Sequence, residues 1–491
     1  MIHSHYPKNI SLILLSFLFL PLDTCILAIA LLSSYISNST QPKQNEEQTG
    51  PAKRKTVLVT GVGMTKGLVL ARSFSNEGHR VIGADFDHFA CGRLSKSLSK
   101  FEVLPKPNEK TGSSPYIQAL LELIQREGVD LWISCSAVAS AVEDGEVKEI
   151  VEARTSCKAV QFDVATTQRL HEKNSFMAYC EEIGLRVPDT KTITSLDALK
   201  KALQNAPSGR KYILKPIGVD DANRGDMTLL PMASWKETVE YISRLKISET
   251  ASWILQQFIQ GEEYCTHSVV IAGQVKAFVA CPSAELLMHY EALPNDSKLS
   301  RAMLDFTKRI AEHGGSKFTG HLSFDFMVES SSNKTKDGTE EIELYPIECN
   351  PRAHTANVLF NDHPDMISAY LSLLKPDETK GLEDRTDNSI ITPRRNERYC
   401  WIGHDFVELV VLPTSALITM QEGASVTKMM ASLHSFFSHL LFWKDGTFEW
   451  SDPAPWWMLY HVYWPMQFWR SLRTGNAWSR VNVSTTKMFA C

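Results

Sequence analysis

The pattern of apolar and polar positions divides the chain into five stretches of different character. Residues 10–36, ISLILLSFLFLPLDTCILAIALLSSYI, form an almost unbroken apolar run whose one charge is Asp23. A helix of that length can cross a bilayer of about 30 Å, so residues 1–36 read as a membrane segment. Pro21 and Asp23 leave open one kinked span or a shallow hairpin. Lys8 precedes the run, whereas Lys43, Lys53, Arg54 and Lys55 follow it, which favours the cytosol for the body of the protein. Residues 37–54 have no periodic apolar face and read as a polar linker.

From residue 55 to 165, strand-like runs (TVLVT, HRVIGAD, VDLWISCS, KAVQF) alternate with helix-period segments (KGLVLARSFSNEG, SPYIQALLELIQREG). Such alternation predicts a parallel sheet with helices on both faces, a Rossmann-like α/β unit. From 166 to 373 the pattern becomes α+β. Helices NSFMAYCEEIG, SLDALKKALQNA and KLSRAMLDFTKRIAEHG are interspersed with strands KYILKPI, SWILQQFI, EYCTHSVVIAG and QVKAFVACPS. The last two strands, LSFDFMVE and ELYPIECN, flank the polar turn SSSNKTKDGT and predict an antiparallel hairpin. Residues 374–491 begin polar and then turn aromatic. WSDPAPWWMLYHVYWPMQFWRSLRTG carries five Trp and two Tyr, a composition suited to a membrane interface, a subunit contact or a core helix pair.

Composition narrows the function classes. A net charge of -5 and a pI near 6.3 provide no basic surface, so nucleic acid is not an expected partner. The ten cysteines include no CxxC pair and no His/Cys spacing that suggests zinc, as for reduced intracellular thiols.

The glycine turn VTGVGMTKG follows the first strand of the α/β unit and carries Gly61, Gly63 and Gly67. A dinucleotide fingerprint would place the third glycine one residue earlier, although Asp85 stands where a ribose-binding acid belongs. An NAD(P)-dependent oxidoreductase is therefore one reading. A second set of residues is more demanding. Lys173 at a helix start and Lys215 at a strand end could neutralise nucleotide phosphates. Backbone groups of Gln257 and Ile259 could meet an adenine edge, and Glu263 could hold ribose hydroxyls. Asp325, Glu348 and Asn350 alternate with apolar residues on the predicted hairpin, so they share one face as oxygen ligands of the kind Mg²⁺ takes. Arg352 follows, able to grip a phosphoryl group or a carboxylate, and His267 and His354 are candidates for substrate contact.

This ordered set resembles the ATP-grasp superfamily over roughly residues 55–373. The resemblance implies a Rossmann-like preATP-grasp domain followed by a two-subdomain ATP-grasp fold that uses ATP and Mg²⁺, with Mn²⁺ as a substitute. It implies that Lys173 and Lys215 hold the ATP phosphates and that Gln256, Gln257 and Ile259 form the adenine hinge. Glu263 then matches the ribose acid, Asp325, Glu348 and Asn350 the metal ligands, and Arg352 the catalytic arginine. The lid PIGVDDANRGDMT is poorer in glycine than the family's usual phosphate-covering loop, and Arg224 is its candidate contact. Lys66, Arg224, His267 and His354 are the expected substrate-side residues. More narrowly, MTKGLVLARSF, WILQQFIQGEEYCTHS and IECNPRAHTANVLFNDHP look like mycosporine-glycine synthases, which join glycine to 4-deoxygadusol. Those enzymes also have an apolar N-terminal segment and an aromatic C-terminal region. The expectation is an ATP-dependent C–N ligase acting on a small-molecule acceptor and an amino acid. It would be membrane-associated, with its catalytic body in the cytosol, and a homodimer. A carboxylate-amine ligase acting on another specialised metabolite is the alternative within the same chemistry.

Overall fold

A computed structural model of the chain describes residues 5–40, 54–108, 110, 112–135, 140–217, 226–283, 288–329, 342–374, 390–394 and 397–490. The polar turn SSSNKTKDGT and Arg224 of the lid lie outside them.

The apolar N-terminal run is one unbroken helix, α1 (His5–Thr40), with Pro21 inside it, so the hairpin alternative does not form. The α/β unit follows: β1 (Thr56–Thr60), α2 (Thr65–Asn76), β2 (Arg80–Asp85), β3 (Lys100–Val103), α3 (Ser114–Glu127), β4 (Leu131–Ile133), α4 (Ala141–Arg154) and β5 (Lys158–Val160). The strands pair in the order β3-β2-β1-β4-β5, all parallel. Val57, Leu58 and Val59 are fully buried, as a central parallel strand covered on both faces requires. Strand β3, whose KFEV is polar at alternate positions, sits at the sheet edge and was not evident in the sequence pattern.

After α5 (Val164–His171) and α6 (Lys173–Glu182) come two antiparallel sheets. The first has the order β6-β8-β7, from β6 (Thr190–Ile193), β7 (Tyr212–Pro216) and β8 (Trp253–Gln257), with α7 (Leu196–Gln204) and α8 (Trp235–Ile242). Helix α8 begins with a capping box between Ser234 and Glu237, which satisfies two otherwise orphan N–H groups. The second sheet has the order β10-β9-β12-β13. It is built from β9 (Gly261–Ile271), β10 (Gln274–Pro282), β12 (Gly320–Glu329) and β13 (Leu344–Asn350), and α9 (Lys298–Gly314) packs beside it. Strand β11 (Tyr290–Glu291) leaves this sheet to join a small one farther along the chain.

The C-terminal part is folded into the body. After α10 (Met366–Leu371), β14 (Arg398–Cys400) pairs with β11 and with β15 (Lys444–Asp445). Helices α11 (Ile402–Phe406) and α12 (Leu412–Ile418) are joined by a π-turn and return through α13 (Val426–Phe442) as a helical hairpin. Helices α14 (Ala454–Met458) and α15 (Trp464–Thr474) carry four of the tryptophans, and an antiparallel hairpin of β16 (Trp478–Asn482) and β17 (Lys487–Ala490) follows. Trp456, Trp464, Phe468 and Trp478 are buried, so much of the aromatic segment is core. A buried ion pair fastens it: Arg72 on α2 meets Asp452 at 2.9 Å, with side chains 5% and 3% exposed.

Helix α1 lies along this C-terminal part with its polarity reversed. Asn9, Ser16 and Asp23, seven residues apart, face the protein, while Leu14, Phe17, Leu18, Leu22, Leu31 and Leu32 face outward. Asn9 bonds Ser471 and Trp478, Ser16 donates to the Tyr460 carbonyl, and Asp23 pairs with His461 at 2.8 Å. The α11–α13 hairpin meets α1 through Phe19 and Phe406 and exposes Ile418, Phe437, Leu441 and Phe442.

Candidate active site

Strand β1 delivers the chain into the glycine turn. Gly61 has φ of 76°, and a Cβ on Gly67 would lie 2.4 Å from the Gly61 carbonyl, so the displaced third glycine is required for the start of α2 to touch the turn. The donors that would cradle a pyrophosphate are already engaged. The Asp85 carboxylate accepts the N–H of Gly63, Phe86 and Asp87, and the Thr65 N–H at the start of α2 donates to the Ser484 carbonyl from the C-terminal hairpin. A pyrophosphate here would meet a carboxylate and a carbonyl oxygen, which weighs against the dinucleotide reading.

A cavity of about 920 Å³ opens at the carboxyl ends of β1 and β2, where open parallel sheets place ligands. One wall comes from Gly61, Met64, Lys66 and Asp85; the opposite wall comes from Lys173, Lys215, Glu348, Asn350 and Arg352. A third wall was not foreseen from sequence: Tyr463, Gln467, Arg470 and Lys487 from the aromatic C-terminal part. Arg470 and Gln467 both hold the Asp87 carboxylate, at 2.8 and 3.0 Å. Burial alone would raise Asp87, but the Phe89 N–H and Arg470 outweigh it and keep the carboxyl below its ordinary range. No local spacing announces these residues, because they arrive from nearly 400 positions away.

The acidic centre is set by strand register. Asp325 on β12 lies opposite Glu348 on β13, and Ser323 lies opposite Asn350. The register then slips by one residue, leaving Ile347 as a bulge beside the site, a device that re-aims side chains. Asn350 Nδ2 donates to Asp325 Oδ2 at 3.1 Å and to Glu348 Oε1 at 3.3 Å, and Lys173 Nζ stands 3.3 Å from Glu348 Oε2. Asp325 is half-buried, and its inaccessible Oδ1 has no hydrogen-bond partner among the described residues. Burial, and then the facing Glu348 charge, push its carboxyl well above the ordinary range. Two facing carboxyl groups, a spare buried oxygen and an amide form a donor set that fits a hard divalent cation.

Lys215 Nζ donates to Gln256 Oε1 at 2.8 Å. Gln256 and Gln257 end β8, Ile259 lies in the connection that follows, and Glu263 is at the start of β9; none is among the cavity-lining residues. The Gln257 N–H is taken by the Asp189 carbonyl and Glu263 accepts from Ser283. His267 and His354 are likewise absent from the lining: His267 is buried and His354 half-buried beside Lys66, where the His354 N–H approaches His267 Nδ1 at 3.4 Å. Burial, then the Lys66 and Arg352 charges, lower His354 to about 3, so it is neutral at physiological pH.

Lys66 itself is 3% exposed and donates to the Ala353 carbonyl at 2.8 Å. Burial, then the Arg352 charge, lower it from 10.5 to about 7. The unfolded chain therefore binds more protons between about pH 7 and 10.5, and stability contributed by this residue rises with pH across that window. Below pH 7 the full penalty applies, on the order of 5 kcal/mol for the gap between 10.5 and about 7. Lys66→Met is expected to be more stable than the wild type at pH 6–7 and to lose that slope; parallel denaturation midpoints from pH 6 to 9 would contradict the assignment.

No protein-family model and no curated protein matches the chain. Solved structures similar to it include an L-amino acid ligase from Bacillus licheniformis (15% identity, 62% of this chain and 68% of that one, TM-score 0.42). Others are N5-carboxyaminoimidazole synthetase from Staphylococcus aureus complexed with ADP (15% identity, 63% and 73%, TM-score 0.44) and a biotin carboxylase complex from Campylobacter jejuni (15% identity, 65% and 70%, TM-score 0.45).

Proposed function

We propose that the protein is an ATP-dependent ligase of the ATP-grasp type that forms a carbon–nitrogen bond. The observation that carries this reading is the convergence on one cavity of Lys173 and Lys215, from different elements, with Glu348, Asn350 and Arg352. Phosphoryl transfer needs positioning and charge neutralisation more than a nucleophile, and this residue set supplies both. Lys173 and Lys215 hold the polyphosphate. Asp325, Glu348 and Asn350 hold Mg²⁺, which when bound offsets phosphate charge. Arg352 grips the transferring phosphoryl group.

The resemblance to mycosporine-glycine synthases supports 4-deoxygadusol as acceptor and glycine as amine. The acceptor's enol oxygen attacks the γ-phosphorus and ADP leaves. The glycine amine then adds to the activated carbon, phosphate departs with the acceptor oxygen, and the amine proton passes to a base. Lys66, on the wall opposite the phosphate lysines, faces the acceptor. It is charged below about pH 7, so an anionic enolate should bind less tightly as pH rises through that value. The test is incubation of the full chain with Mg-ATP, glycine and 4-deoxygadusol. ADP, phosphate and a new ultraviolet-absorbing product are expected. ADP release with another carboxylate acceptor, and none here, would assign a different carboxylate-amine ligase.

The reading includes a membrane position. Helix α1 is long and apolar enough to cross a bilayer, yet its polar stripe is spent on the protein along its length. An apolar outer face over a bonded polar inner face suits a helix lying in the lipid interface, with the α11–α13 hairpin beside it. Lys53, Arg54 and Lys55 favour the cytosolic leaflet. Phe17→Glu combined with Leu18→Glu is expected to weaken partitioning onto phosphatidylcholine/phosphatidylserine vesicles by about tenfold or more. Unchanged co-sedimentation would contradict the interfacial placement.

A further inference from the structure

Outside the lining of the cavity, His289, Asp405 and His439 converge from three separate segments, and their ligating atoms all lie within 4.8 Å of one another. His289 Nε2 is 2.9 Å from Asp405 Oδ1, and His439 Nδ1 is 2.6 Å from Asp405 Oδ2. These are hydrogen-bond separations; donor atoms around a tetrahedral zinc ion lie about 3.3 Å apart, so the three groups would open by well under an ångström each to admit one.

Asp405 is wholly buried at the start of the apolar helical hairpin, and among the described residues its ion-pair partners are these two histidines alone. Asp445, a half-buried carboxylate, stands nearby, its oxygens taken by the N–H groups of Ile402, Thr447 and Phe448. Buried negative charge without a lysine or arginine is costly, and a cation at the histidines would offset it. The Cys400 thiol also lies against Asp405, but it stands outside the group of ligating atoms within 4.8 Å of one another. The Trp443 ring packs on both histidines and shields the cluster from one side.

We infer that His289, Asp405 and His439 bind a zinc ion. Imidazole and carboxylate are zinc donors, and three protein ligands leave the fourth tetrahedral position to water. The ion would tie the base of the α11–α13 hairpin to the segment entering β11, holding the apolar surface in register with the catalytic body. Linear spacing could not announce it, since its ligands are spread over 150 residues.

The test is elemental analysis of the purified full chain after dialysis against metal-free buffer. About one zinc per chain is expected, retained in His363→Ala and reduced about tenfold or more in His439→Ala and Asp405→Asn. Should those variants fail to fold, His289→Asn, at the most exposed ligand, serves in their place. Cobalt substitution should give the intense visible bands of a four-coordinate site, lost in His439→Ala. A wild-type chain that neither retains zinc nor takes it up saturably would overturn the inference. Equal zinc in wild type and in all ligand variants would do the same.

Discussion

Glu348→Ala is expected to lower ATP-dependent ligation by about 10³-fold or more while leaving the protein at least as stable as the wild type. Removing most buried polar groups costs stability. This one faces Asp325 across the hairpin and raises its carboxyl pKa. Asp325 protonates more easily folded than unfolded, so between its ordinary pKa and its raised one stability falls as pH rises. Deleting Glu348 removes part of that penalty, so the variant should lose less stability from pH 4 to 7. It should also lose the rise in melting temperature that added Mg²⁺ gives the wild type, because only a ligand bound by the native state stabilises it. Normal turnover in Glu348→Ala, or an undiminished response to Mg²⁺, would remove the metal assignment.

Arg72→Met should have the largest effect on stability, a loss of about 3–5 kcal/mol read from chemical denaturation. The guanidinium donates to the Asp452 carboxylate and to the carbonyls of Thr447 and Asp452, and Asp452 also accepts from Ser95 and from the Lys96 N–H. Methionine replaces the volume and leaves a buried carboxylate without its cation. Asp452→Asn should cost less, since Ser95 and Lys96 remain, and the double variant should cost less than the two single losses summed. The C-terminal part carries Arg470 and Gln467 to the cavity, so KM for the acceptor should rise as well. A loss below about 1 kcal/mol would mean that this pair does not fasten the C-terminal part.

Local patterning made much of the fold legible. The period-2 and helical-period segments gave the parallel sheet and the β12–β13 hairpin, and alternation along that hairpin put Asp325, Glu348 and Asn350 on one face. What escaped the reading was contact between distant segments. The Ser484 carbonyl on α2, the Arg72–Asp452 pair and the Arg470 wall join residues from opposite ends of the chain, and no periodicity reports them. The Ile347 bulge is set by pairing geometry, which composition does not encode. Asp85 illustrates the same limit: its position suits a ribose acid, but its oxygens close the glycine turn. In α1, Asp23 looked like an obstacle in an apolar span, and its partner His461 turns it into the inward face of the helix.

The central claim, that the acceptor oxygen is phosphorylated before the amine adds, is tested most directly with ¹⁸O in the reacting oxygen of the acceptor. After turnover with Mg-ATP and glycine, the released phosphate should carry one ¹⁸O, because the acceptor oxygen leaves with it. Phosphate containing only ¹⁶O, with product formed, would contradict the account.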